Sequence, residues 1–320
     1  MDVKRFIVYG AGAVGGSLGA FLHRAGHEVV LIVRGPHLDA IRAQGLRVVT
    51  GAGAATQTIP AVSGPDQLVG AAGDVVLLAV KSMNTEAALR DLITAVDRAT
   101  PIVCLQNGVA NEPAALRMFP NVYGVCVMFP TTHLEPGVVE ARAWPVPAIL
   151  DIGRYPAGVD GAAEAVAAAF RSAGCHAVPR ADIMRWKYHK LLMNLGNAVD
   201  AIVRPDEDVT EILERARIEG MKVLTAAGIS FVTAVEDGAR RGDILRVGVR
   251  RSVSSSWQSL ARGTGSIETD YLNGEIVLLG RRHGVPTPVN ERIQHFAEVV
   301  AREGRPPGSV PLAELVAALG

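Results

Sequence analysis

Residues 1–35 read MDVKRFIVYGAGAVGGSLGAFLHRAGHEVVLIVRG, and the conformation of this stretch decides how the rest of the chain is read. Phe6, Ile7, Val8 and Tyr9 leave no polar face, as expected of a strand covered on both sides. Gly10, Gly12 and Gly15 follow at its carboxyl end. Val14, Leu18, Phe21 and Leu22 then recur at helical spacing, and Gly26 closes that helix before a second apolar run at 29–33. In a strand, glycine turn, helix and strand, G-x-G-x-x-G has a mechanical meaning. Gly10 permits the tight turn, Gly12 lets a pyrophosphate approach the backbone, and Gly15 lets the helix lie close to the strand. With Ala13 and Val14 these residues form a helix N-terminus whose N–H groups and dipole suit phosphates. A purely conformational glycine turn is the alternative; the complete βαβ context favours a bound dinucleotide.

The second strand ends in Ile32-Val33-Arg34-Gly35, with no acid. An acidic residue there would suit the ribose 2′-hydroxyl of NAD, whereas arginine suits a 2′-phosphate, which a planar guanidinium grips through two hydrogen bonds. The expected cofactor is NADPH, with Arg34 as the phosphate clamp. The alternative is a solvated arginine at a strand end.

Composition removes several other functions. Lys and Arg together number 32, as do Asp and Glu, so no net positive field gathers nucleic acid or an anionic membrane. The doublets Arg240-Arg241, Arg250-Arg251 and Arg281-Arg282 read as solvated faces. Cys104, Cys126 and Cys175 are odd in number, widely spaced and set among apolar residues, which fits buried thiols in a reducing compartment and no zinc site. No apolar stretch approaches the ~20 residues of a membrane span, and the first strand begins too early for a secretory signal. The expectation is a cytoplasmic protein without metal, nucleic-acid or membrane partners.

At 320 residues two domains are expected. Buried strands at 75–80, 102–105 and 122–128 alternate with helical segments such as 86–96. Runs at 137–141 and 147–152 look like added antiparallel strands. A helix over 159–173 and a short strand at 176–179 lead out of this part, and the Gly/Ala stretch 50–58 reads as a hairpin turn. This predicts an α/β, Rossmann-type, doubly wound sheet over 1–179. From 180 to 320 the pattern is all-α: 183–203, 208–227, 231–240, 253–260, 266–283 and 288–303, the last opened by a Thr287-Pro288 start signal. That helical domain is expected to bind substrate, with a cleft beside the cofactor, and to form any symmetric homodimer.

In ADIMRWKYHKLLMNLGNAVDAIV, residues 181–203, Lys190, Asn194 and Asn197 fall at i, i+4 and i+7 beside an apolar face. Such polar groups are costly next to a core unless something uses them. A lysine delivered to a cleft can protonate a carbonyl oxygen as hydride arrives at the carbon; a snorkelling lysine with asparagines bonded to nearby backbone is the alternative. Glu268 on the predicted 266–283 helix can point inward and accept a substrate hydroxyl. The serines before Trp257 read either as caps or as a carboxylate site. Lys81 and Asn107 sit just past strand ends, where ligands bind in open α/β sheets.

These residues resemble the ketopantoate reductase (2-dehydropantoate 2-reductase) family over essentially the whole chain: GAGAVG, Arg34, VKS around Lys81, QNGV at 106–109, TTH at 131–133, KLLMN at 190–194, and SSSWQS through IETDYLNG to GVPTP. The resemblance implies NADPH-dependent reduction of a small 2-oxo acid to a 2-hydroxy acid, with 2-dehydropantoate as the first candidate. It implies Lys190 as general acid, Glu268 as the carboxylate holding the substrate hydroxyl, Asn194 and Ser256 at the substrate, Asn107 at the cofactor–substrate junction and Lys81 near the cofactor. Three positions depart from the family pattern. Ala198 stands where a second asparagine is usual, with Asn197 one residue early; Trp257 replaces a smaller residue and an acid is missing nearby; Trp186 lies four residues before the lysine instead of two. These departures leave open a reductase of a different 2-oxo acid or related carbonyl, and a non-catalytic NADPH sensor forms the third reading.

Overall fold

Period-two alternation in the first strand sends its side chains into two separate helical layers. In the computed structural model, which describes residues 2–247, 254–263 and 265–317, the strands are β1 (Arg5–Tyr9), β2 (Glu28–Ile32), β3 (Leu46–Thr50), β4 (Gly53–Gln57), β5 (Ala61–Val62), β6 (Asp74–Leu78), β7 (Ile102–Cys104), β8 (Val122–Met128), β9 (Thr131–Thr132), β10 (Val138–Ala141) and β11 (Ile149–Arg154). The helices begin with α1 (Ala13–Arg24), α2 (Gly35–Gln44), α3 (Thr85–Ile93), α4 (Asn111–Leu116) and α5 (Gly161–Ser172). They continue with α6 (Ile183–Asn194), α7 (Asn197–Ile202), α8 (Thr210–Ala226), α9 (Ala234–Arg241), α10 (Ser255–Ala261), α11 (Asn273–His283), α12 (Pro288–Arg302) and α13 (Leu312–Ala317). No described helix is long and apolar enough to cross a membrane.

The chain divides into two compact units, Met1–Lys187 with Thr233–Arg250, and Tyr188–Val232 with Arg251–Gly320. In the first, seven strands run in the order β11-β8-β7-β6-β1-β2-β5, parallel except for β11 against β8. The chain leaves β1 toward β2 on one side and toward β6 on the other, so the topological switch lies beside β1. Phe6 and Val8 join Leu31, Leu77, Phe21 of α1 and Phe170 of α5 in one cluster; Ile7 and Tyr9 join Val76, Leu78 and Leu89 of α3 in the other. Each such buried side chain contributes roughly 1.5–3 kcal/mol. This is the doubly wound α/β architecture predicted from the alternating pattern.

Two expectations for this unit change. The 176–179 run forms no named strand but bridges the outer edge of β11 in parallel, His176 to Ile149 and Pro179 to Ile152, with the Leu150 N–H donating to the His176 carbonyl at 2.8 Å. The 137–141 strand leaves the main sheet. As β10 it pairs with β3 in parallel and with β9 antiparallel, in a second sheet ordered β4-β3-β10-β9. The 50–58 stretch is the expected hairpin, β3 against β4. Helix α9 packs within this unit although it lies late in the chain: buried Asp151 of β11 receives Nε of Arg240 at 2.9 Å and Nε of Arg180 at 2.6 Å.

The second unit is helical, with a core of α7, α8 and α12 side chains such as Val199, Ile202, Ala216, Ile293 and Val300. Periodicity predicts one helix over 183–203, but Leu195 and Gly196 break it into α6 and α7. The amide of fully buried Asn273 donates to the Leu195 carbonyl at 3.1 Å, satisfying an acceptor that the break exposes. Gly196 also packs closely, since a Cβ there would lie 3.1 Å from Leu213 Cδ2. The predicted 266–283 helix likewise divides into a 3₁₀ turn, Glu268–Tyr271, and α11. The predicted 253–260 helix is α10, starting at Ser255; Val253 lies outside the described residues. Thr287 precedes α12 as expected, but its side chain does not cap. The Glu219 carboxylate does so instead, accepting from the N–H groups of Val289 at 2.9 Å and Asn290 at 3.0 Å.

Candidate active site

Gly10 and Gly12 between β1 and α1, and Gly15 in the first turn of α1, face different demands. Gly10 has φ +99°, where side chains are strained, and a Cβ would sit 2.6 Å from the Val80 nitrogen. Gly15 packs against the strand layer: its Cβ would meet the Gly10 carbonyl and lie 2.9 Å from the Ala79 Cβ. Gly12 has an ordinary φ of −76° and no atom within 4 Å of the Cβ position, so the protein's own packing does not demand glycine there. The space over Gly12 is open. It faces a helix start with no side-chain cap and no acid in its first turn. That chemistry fits a phosphate.

The turn has a buried support that sequence reading does not anticipate. The Gly137 N–H donates to Nδ1 of His37 at 2.8 Å, so the proton of this neutral ring is on Nε2, which lies 2.9 Å from the Ala11 carbonyl in the glycine turn. His133, of the TTH run, stacks on His37 with ring centroids 4.1 Å apart.

Two further turns leave the ends of β6 and β7, at Lys81-Ser82 and Asn107-Gly108. Lys81 and Asn107 are half-buried. A buried polar network joins the turns: Gln106 Nε2 donates to the Val80 carbonyl at 3.0 Å and to Thr85 Oγ1 at 2.6 Å. Thr85 in turn donates to Asn111 Oδ1 at 2.7 Å, and the Asn111 amide reaches Ser82 Oγ at 3.3 Å and the Asn107 carbonyl at 3.1 Å. Such buried networks fix geometry in a dry interior, and here Gln106 Oε1 alone of its side-chain polar atoms has no partner among the described residues.

Behind Gln106 lies a second lysine. Lys187 Nζ sits 2.8 Å from Glu112 Oε1 and donates to the carbonyls of Gln106 at 2.9 Å and Val125 at 3.2 Å. Gly124 provides room for it, since a Cβ there would lie 3.2 Å from Lys187 Cδ. Burial, reinforced by the Glu112 carboxylate, pushes the neighbouring Cys104 thiol well above its ordinary pKa. The available sequence signal was the i±4 register of Lys187 with Ile183 and Leu191, both on the apolar face. The displaced Trp186 is also accounted for: its ring carries the guanidinium groups of Arg180, 4.0 Å from the centroid, and Arg240, at 5.2 Å.

At the end of β2, Arg34 Nε donates to the Ser63 carbonyl at 3.1 Å. Its Nη2 reaches Tyr9 Oη at 3.2 Å and Asp91 Oδ2 at 3.3 Å. Burial, with the hydrogen bond to Asp91, pushes Tyr9 up to about 12.

In the second unit Lys190 is half-buried on α6, with buried Asn194 one turn further along the same face. Asn197 is half-buried at the first position of α7, past the break, and its carbonyl accepts from Ser254 Oγ at 3.0 Å. Ser254 also caps α10 through the Trp257 N–H at 3.1 Å. Buried Ser256 Oγ has no hydrogen-bond partner among the described residues. Glu268 is buried on the 3₁₀ turn. Ala198 belongs to the hydrophobic cluster of this unit and Trp257 packs against it, so both departures from the family pattern serve packing.

Residues 6–156 match the family model described as ketopantoate reductase PanE/ApbA, and residues 182–301 match its C-terminal counterpart. The chain belongs to the ketopantoate reductase family. These are oxidoreductases acting on a CH–OH group. Among curated members, the 2-dehydropantoate 2-reductase of Halobacterium salinarum is 32% identical over 94% of this chain and 100% of its own length. That of Pyrococcus horikoshii is 29% identical over 95% and 99%. A solved PanE/ApbA family ketopantoate reductase from Ralstonia eutropha JMP134 is 30% identical, with TM-score 0.78 over 94% of this chain and 99% of that one. D-mandelate dehydrogenase, solved with NADH and anilino(oxo)acetate, shares the fold at TM-score 0.79 and 23% identity, covering 94% and 99% of the two chains. The ketopantoate reductase family thus spans both units.

Proposed function

We propose that this chain is a nicotinamide-dependent reductase of a small 2-oxo acid, using NADPH to convert 2-dehydropantoate to pantoate. The observation that carries the reading is the open glycine turn at the switch point, with Gly12 free of internal contacts and an uncapped α1 beyond it. Two named relatives support the substrate, since both are called 2-dehydropantoate 2-reductases.

In this mechanism the nicotinamide, when bound, supplies hydride to the keto carbon. Gly10, Gly12, Ala13, Val14 and Gly15 hold the pyrophosphate, Arg34 the 2′-phosphate, and Lys81 and Asn107 the nicotinamide end. Lys190 releases a proton from Nζ to the substrate oxygen as it becomes an alkoxide, so the carbonyl gains one hydride and one proton. Glu268 accepts a hydrogen bond from a substrate hydroxyl. Asn194 and the unpartnered Ser256 hydroxyl orient the substrate; Ser256 is buried and makes no bond within the described residues, a costly state that a polar ligand relieves. Asn197, half-buried at the start of α7, completes the polar groups that face the substrate in this reading.

The test is NADPH oxidation followed by absorbance with 2-dehydropantoate and a panel of other 2-oxo acids. Faster turnover of 2-dehydropantoate than of the panel is expected. A better rate on another acid moves the substrate assignment, and tight NADPH binding with no turnover of any acid leaves a sensor instead.

A further inference from the structure

Arg34 already has partners before any phosphate arrives. Its Nε is engaged by the Ser63 carbonyl and its Nη2 by Tyr9 and Asp91, which leaves Nη1 as the one nitrogen of the fork without a hydrogen bond among the described residues. Asp91 comes from the last turn of α3, not from β2, and also accepts from Tyr9 Oη at 2.9 Å. Arg34, Asp66 and Asp91, with residues 63–65, line an open pocket of about 260 Å³. One guanidinium there faces two carboxylates.

A bidentate grip on a phosphate needs two adjacent N–H groups of the fork. Here the second is available only if Asp91 gives up Nη2, and a 2′-phosphate then sits as a dianion beside two carboxylates. A ribose with a free 2′-hydroxyl meets neither obstacle and can donate to Asp91, much as it does to an acid at the end of the second strand in other dinucleotide sites. We propose that Asp91 is a specificity-determining residue that competes for Arg34 and holds down the preference for a 2′-phosphorylated cofactor, so that the site accepts NADH as well as NADPH. This assignment rests on the reading of the glycine turn as a dinucleotide site. It places the discriminating acid on α3, held by the Tyr9 hydroxyl, whose own proton is kept in place by burial.

The experiment is calorimetric binding of ADP and 2′,5′-ADP to the full chain, compared among wild type, Asp91→Asn and Asp91→Ala. The Asp91 side chain is 48% exposed, so both variants retain the fold, checked by their melting curves. The affinity ratio of 2′,5′-ADP to ADP is expected to rise about tenfold in both, the size expected for removing one carboxylate a few ångströms from a phosphate in a half-solvated site. A ratio unchanged within about twofold, or lowered, overturns the assignment to Asp91 while leaving the cofactor site standing. A wild-type chain that binds neither nucleotide overturns the dinucleotide reading itself, and this inference with it.

Discussion

Lys187 and Glu112 form an ion pair of 2.8 Å with 2% and 0% of their side chains exposed. Two charges this deep are held by their mutual attraction and by the carbonyls of Gln106 and Val125, which take the remaining lysine protons. Replacing one partner leaves the other charged and buried. Lys187→Met is therefore expected to lower unfolding free energy by about 3–5 kcal/mol in urea denaturation, and Lys187→Met with Glu112→Leu to recover at least half of that. A double variant no more stable than the single one would show that the pair does not act as a unit.

Gly12 and Gly15 separate folding from binding. Gly12→Ala meets nothing in the protein, so stability is expected to change by less than about 1 kcal/mol while dinucleotide affinity falls. Gly15→Ala drives a Cβ into the Gly10 carbonyl and is expected to cost about 2–3 kcal/mol. Thermal melts with and without NADPH distinguish the two. Equal losses of stability would mean that Gly12 is structural after all.

Arg34→Ala leaves Asp66 and Asp91 in the pocket without their cation. NADPH affinity is expected to fall roughly 10- to 100-fold, as for loss of charge-assisted hydrogen bonds, with NADH changing far less. Parallel losses measured by cofactor fluorescence would remove the arginine from the 2′-phosphate.

Lys190→Ala is expected to reduce kcat by roughly 10²–10⁴ with NADPH affinity nearly unchanged, as for loss of a general acid. Retained turnover in a steady-state assay would take Lys190 out of the mechanism.

Glu298 carries the clearest pH signature outside the proposed site. Partial loss of hydration and then the hydrogen bond with Asp270 raise its carboxyl to about 7, although the residue is largely exposed on α12. Its pKa is higher folded than unfolded, so the folded chain binds more protons between about pH 4.5 and 7. The resulting stability is present below about 4.5 and is lost as pH rises through about 7. Glu298→Gln is expected to flatten this part of the stability profile in melts taken across that range; an unchanged slope would assign the effect elsewhere. Solvent screening keeps the energy small.

Local sequence was sufficient wherever one turn or one face decided the conformation. The order strand, G-x-G-x-x-G, helix, strand fixed β1, α1 and β2, because a positive φ at Gly10 and close packing at Gly15 are demands made within a few residues. The uninterrupted apolar runs gave a sheet covered on both faces, and the loss of alternation after residue 180 gave a helical second unit. What tertiary structure decided depends on partners distant in the chain. Helical period carries straight through Leu195 and Gly196, and the break there is satisfied by an amide from Asn273, 78 residues away. That break leaves Asn194 at the end of α6 and Asn197 at the start of α7. Lys187 shares a helix face with apolar Ile183 and Leu191, but the carbonyl acceptors that hold it lie 62 and 81 residues distant. Arg34 was legible as a cation at the end of β2, but Asp91, which competes for it, arrives from another helix. Backbone conformation follows from neighbours in sequence, whereas the pairing of buried charges is settled only when the fold brings their partners together.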